Sequence, residues 1–169
     1  MAHQAGDQYS EDSGDAAGLI SNGLSPLRPE AGDTDEKWLS IRWDGERRCV
    51  HAEWKGFANS TQFRTGSMAL LKAIQERNAT STVNDTRKLE VVSHQDQLWI
   101  RDTWVPLAAT SGLKRIAVVV ALHGLARFAV EGIIRLVGAT RLDARLFNSP
   151  DDAVKWVETE EKKSKTASR

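Results

Sequence analysis

Large apolar side chains are sparse before residue 37, where only Tyr9, Leu19, Ile20, Leu24 and Leu27 interrupt a run rich in Gly, Ser, Asp and Ala. Beyond it they recur with the period of two of a strand or the period near 3.6 of a helix. Leu39, Ile41 and Trp43 alternate with Trp38, Ser40 and Arg42, and Val50, Ala52 and Trp54 with Cys49, His51, Glu53 and Lys55; the Asp44-Gly45-Glu46 turn between them predicts a hairpin. Gly56 ends the second strand. Ser60 or Thr61 is the expected cap of a helix with Phe63, Met68, Leu70, Leu71 and Ile74 as its stripe, weakened by Gly66. A short strand follows at Thr82–Asp85. Ser93 then offers a cap to a helix that runs from His94 until Pro106 disturbs it, with Leu98 and Trp99 inward.

Lys114 to Val120, after the break at Gly112, is apolar on both faces, as a central strand would be. A helix over Leu125–Val137, a strand over Leu142–Phe147 and a last helix opening at Ser149-Pro150 complete the order, the last burying Ala153, Val154, Trp156 and Val157. The fold class is therefore α/β: an N-terminal β-hairpin, then βα repeats, with about five strands in sequential order and helices mainly on one face. Because the outer strands have one polar side, the other face is expected to lie open, with Arg42, His51, Glu53, Lys55, Asp143 and Arg145 around Ala117 and Val119.

Charge sharpens the domain limits. Residues 1–36 carry eight acidic side chains against Arg28 alone, while the remainder holds 22 basic and 15 acidic ones. An acidic, disordered arm (1–36), an α/β domain (37–158) and a polar charged tail (159–169) are the expected parts. The arm is either solvated or laid over the basic surface of the domain. Cys49 is the single cysteine, so no intrachain disulfide can form, and a reducing compartment suits it. The longest apolar run, Ile116 to Leu122, is too short to cross a membrane, and the start lacks a basic region followed by an apolar core. A cytoplasmic chain is the expectation.

The ordered series Trp54-Lys55-Gly56-Phe57, Asp85-Thr86-Arg87-Lys88-Leu89, Trp99, Trp104-Val105-Pro106, Ala117-Val118-Val119, and Phe147 followed by Ala153 and Trp156 resembles a group of small, largely uncharacterised bacterial proteins. These are related in fold to STAS domains, the anti-sigma-factor antagonists similar to SpoIIAA. The resemblance covers roughly residues 38–158. It implies sequentially ordered strands with helices on one side, and a regulatory module that binds a protein partner. It also implies phosphorylation at Ser93, the position matching the regulatory serine, although Val92 stands where those proteins usually have aspartate, and His94 and Gln95 replace small residues.

Asp85, Arg87, Lys88, Ser93 and His94 are expected to gather at the carboxyl end of the third strand, with His123 at the same edge after the fourth. They suit partner or ligand binding, and Arg87 and Lys88 would serve an anion seated on helix-start amides. Trp104, beside Trp99 and Pro106, is placed to form a lid over an apolar ligand, whereas Trp43, Trp54 and Trp156 read as packing residues. A hydrolytic set of Asp85, Ser93 and His123 is conceivable, but no glycine-rich elbow surrounds the serine. His3, His51, His94 and His123 are scattered, so no metal site is expected, and no nucleotide-binding loop implies a cofactor. Basic residues lack a stripe interleaved with aromatics, which argues against nucleic acid. The leading expectation is a non-catalytic binding or regulatory module acting by protein association, with a homodimer allowed. A small-molecule or lipid carrier is the alternative.

Overall fold

The computed structural model describes residues 27, 30, 32–123, 125–137 and 142–167. Six strands, β1 (Thr34–Asp35), β2 (Leu39–Asp44), β3 (Cys49–Trp54), β4 (Ser81–Asp85), β5 (Arg115–Val119) and β6 (Asp143–Phe147), form one sheet in that order. The first three pair antiparallel, and β3 to β6 run parallel. The helices are α1 (Ser60–Arg77), α2 (His94–Trp99), α3 (Val105–Thr110), α4 (Leu125–Val137) and α5 (Pro150–Ala167), with a π-helical turn, Ile100–Trp104, joining α2 to α3.

Strand β1 lies inside the segment read as an arm. It is held because Arg42 donates to the Thr34 carbonyl at 3.0 Å and Asp35 accepts from both Arg42 (3.0 Å) and Lys55 (2.5 Å). The acidic end of that segment thus rests on two basic side chains, while residues 1–26 lie outside the described residues. At the other end α5 continues past Glu158 to Ala167, supported by Lys162 on Glu158 and Lys163 on Glu160 at its surface.

One face of the sheet carries the larger core. Leu39, Ile41, Val50, Ala52, Trp54, Ile116 and Val118 meet Phe63, Leu70, Leu71 and Ile74 of α1 and Val130 and Val137 of α4. Helix α1 opens one residue earlier than its expected caps: Asn59 accepts from the Gln62 amide at 2.9 Å, and Gln62 returns a side-chain acceptor at 3.0 Å, a reciprocal capping box. Met68 falls outside its buried stripe. Gly66 is no weakness, because a Cβ there would lie 2.6 Å from Leu39, 2.7 Å from Trp38 and 2.9 Å from Trp54. The missing side chain lets the helix sit flush on the sheet.

The opposite face is not open. Helix α5 covers β4 to β6, burying Val83, Ala117 and Val119 against Ala153, Val154 and Val157. Among the described residues, three crossover units pack on one side and α5 alone on the other, so part of the outer face is enclosed. Arg115, at the start of β5, is buried there. Its guanidinium meets Glu161 at 2.6 Å, and both side chains are buried; Arg115 also donates to Ser81, and Thr80 donates to Glu161 at 2.9 Å. His51, expected at the open surface, is half-buried with Nε2 3.7 Å from Asp44. Burial opposes its charge, but Cys49 and Asp44 outweigh it and raise its pKa to about 9.

Two substitutions test these contacts. Gly66→Ala, which ordinarily stabilises a helix, is expected to destabilise this protein by about 1–3 kcal/mol in urea unfolding, because overpacking forces α1 off the sheet. Glu161→Ala is expected to cost about 3–5 kcal/mol by stranding Arg115, whereas the double change Arg115→Met with Glu161→Leu is expected to recover most of that loss.

Candidate functional site

In-register parallel pairing brings the carboxyl ends of β3, β4 and β5 to one edge, since Glu53 pairs with Asp85 and Asp85 with Val119. The loop after β4 begins with Thr86, whose amide and hydroxyl both donate to the Val119 carbonyl, at 2.8 and 2.9 Å. Asp85 accepts the Arg87 amide at 3.1 Å and grips its guanidinium through both oxygens, the shortest contact being 2.6 Å. Lys88 reaches back to Glu53 at 2.9 Å. Both cations expected to serve an anion are thus matched by carboxylates of the same protein, and the anion cradle loses its charge.

Ser93 caps α2. Its hydroxyl accepts from the Asp96 amide at 3.1 Å and donates to Asp96 Oδ2 at 2.6 Å. Asp96 is buried and also accepts from Ser60 at 2.7 Å and from Arg64 at 2.7 Å, both on α1. Burial alone would raise the Asp96 carboxyl; hydrogen bonds from Ser93, Ser60 and Arg64 outweigh it and hold the group below its ordinary range. One carboxylate therefore ties the first turns of two helices together. Arg64 extends the tie by lying over the Trp99 ring, 5.5 Å from its centroid. The Ser-x-x-Asp spacing was the available signal for this carboxylate, but its partners Arg64 and Ser60 sit 32 and 36 residues away.

His94 and His123 are exposed and make no hydrogen bond or ion pair with described residues. Asp85 is committed to Arg87 and Ser93 to Asp96, and no hydrogen bond joins Asp85, Ser93 and His123. Trp104 is not a lid. It is 5% exposed, and its indole N–H donates to the Ser67 carbonyl at 2.6 Å, inside the core. The residues that sequence reasoning missed at this edge are apolar. Phe57, Leu122 and Phe128 are 58%, 64% and 70% exposed, and Val91 is exposed as well. Phe57 follows β3, Val91 lies in the loop after β4, Leu122 follows β5, and Phe128 is in the first turns of α4. Among the described residues no helix is long and apolar enough to cross a membrane.

The fold is SpoIIAA-like. A solved structure of an uncharacterised protein of the DUF3478 family with a SpoIIAA-like fold, from Shewanella loihica, superposes on this chain with a TM-score of 0.50, at 16% identity, over 80% of this chain and 99% of that one. No protein-family model and no curated protein matches the sequence.

Ser93 separates a simple cap from a lock. Ser93→Ala is expected to cost about 1 kcal/mol in chemical denaturation. Aspartate caps a helix about as well as serine, so a pure cap would tolerate Ser93→Asp; here that change is expected to destabilise at least as much as alanine, because it sets a second anion against Asp96.

Proposed function

We propose that this chain is a non-catalytic binding module that docks a protein partner on the apolar rim at the carboxyl edge of its sheet. The observation that carries this reading is the concentration of exposed apolar side chains there: Phe57, Val91, Leu122 and Phe128 are four of the six large apolar residues exposed on the described surface. Exposed aromatic clusters bordered by polar groups are the composition of association surfaces. The Asp85–Arg87 and Lys88–Glu53 pairs supply that border and remain half-exposed. His94 and His123 lie at the same edge and offer further polar contacts.

Phosphorylation at Ser93 fits this reading through the lock rather than through a docking charge. A phosphate would lose the hydrogen bond that Ser93 donates to Asp96 and set a near-dianion beside a buried carboxylate. The first turns of α1 and α2 would loosen, and the rim beside them would change shape.

The test is a double variant, Leu122→Glu with Phe128→Glu, compared with wild type for partner capture from the source cells and for sedimentation. Buried anchors at a rim of this kind cost about 2 kcal/mol or more each when removed. A partner retained by wild type and lost by the variant, at equal thermal stability, is the expected result. Dimeric wild type beside monomeric variant would assign the rim to a second copy of the chain. Equal capture and equal sedimentation by both proteins would end the docking reading.

A further inference from the structure

We propose that the interior of the larger core holds a binding site for a small neutral molecule, with an apolar body and one hydrogen-bonding head held by the carboxamide of Asn84. A cavity of about 90 Å³, partly open to the surface, lies between the inner face of the sheet, α1, the α2–α3 unit and α4. Its walls include Trp54, Phe63, Ile100, Trp104 and Val118, and no charged side chain among the described residues lines it. Asn84 projects into it from the inner face of β4, the strand flanked by β3 and β5.

Asn84 is 8% exposed, and its side-chain amide makes no hydrogen bond with any described residue. The other polar groups at the cavity are already engaged. Ser67 Oγ donates to the Phe63 carbonyl at 2.8 Å, Thr86 Oγ1 to Val119 at 2.9 Å, and Trp104 Nε1 to Ser67 at 2.6 Å. Buried polar groups are paired in the great majority of proteins, and the Asn84 amide, which is not among the fully buried unpartnered groups, keeps enough accessible surface for an entering molecule to meet it. Ser67 Oγ and Thr86 Oγ1 can still accept, so a water could bridge from them to Asn84, but the rest of a space of about 90 Å³ is walled by apolar side chains, which an apolar body meets better than water does.

The remaining chemistry narrows the occupant. A carboxylate or an ammonium would be buried without a counter-charge, which excludes charged heads. Asn84 both donates and accepts, so an alcohol, ketone or amide suits it. An apolar cavity of about 150 Å³ accommodates benzene, so in proportion the resting volume here suits a compact molecule of about four non-hydrogen atoms. Ile100 and Trp104 both belong to the π-helical turn, an arrangement that recurs at functional sites and that here forms one wall.

The probes are 2-propanol, isobutane and acetate, matched in their number of non-hydrogen atoms and titrated into the full chain at neutral pH. The Asn84 side-chain amide resonances and the emission of Trp54 and Trp104 report occupancy. 2-Propanol is expected to saturate both signals and to bind at least about tenfold more tightly than acetate. Asn84→Leu is expected to weaken 2-propanol about five- to tenfold while leaving isobutane no weaker. Val130→Phe, which fills the cavity, is expected to abolish both. Should Asn84→Leu fail to fold, the preference of wild type for 2-propanol over isobutane at the Asn84 resonances decides the matter. Equal affinity for the three probes, or no saturable signal in wild type because the cavity holds water only, would overturn the proposal.

Discussion

The pairing of Asp85 with Glu53 on one side and Val119 on the other is the constraint from which the rest follows. It keeps three parallel strands in step, so that their following loops emerge at one level. It also sets the alternation of β4, sending Thr82 and Asn84 to the large core and Ser81 and Val83 toward α5. A slip by one residue would exchange those sets and place the Asn84 amide on the wrong side.

Two packing regimes share this sheet. On the inner face the contacts are broad and apolar, and the close approach at Gly66 shows how little space separates helix from strand. On the outer face a single helix covers a few small side chains, and a buried ion pair fixes its far end. Breaking an ion pair of that kind is costly even where forming it gains little, so its effect is chiefly to define where α5 lies. The two helices joined through Asp96 are fixed in the same manner, by hydrogen bonds whose geometry permits one arrangement.

Elements with strong local signals were legible in the sequence. The Leu125–Val137 helix has the expected ends, the Asp44 turn joins the expected hairpin, and the run to Val120 is a central strand buried on both faces. What escaped depended on residues distant along the chain. The outer face was read as open because nothing local reveals that Ala153, Val154 and Val157 of α5 pack over Val83, Ala117 and Val119. Pro106 was read as a helix breaker, yet it sits near the start of α3, where the preceding π turn has already shifted the hydrogen-bond register. Of the candidate site residues, Asp85, Arg87, Lys88 and Ser93 do share the β4–α2 loop, but their charges are matched internally. Trp104 turned inward because its indole N–H finds a carbonyl there.

Strand order that follows chain order has a consequence for how this protein is made. Each strand can add to an edge already present as synthesis proceeds, so every pairing step closes only a short loop. The outer apolar patch of Val83, Ala117 and Val119 is different, because its cover, α5, leaves the ribosome only after all six strands. Until that segment arrives, the nascent sheet carries a wetted hydrophobic face, and this interval is when the chain is most open to aggregation or to capture by a chaperone.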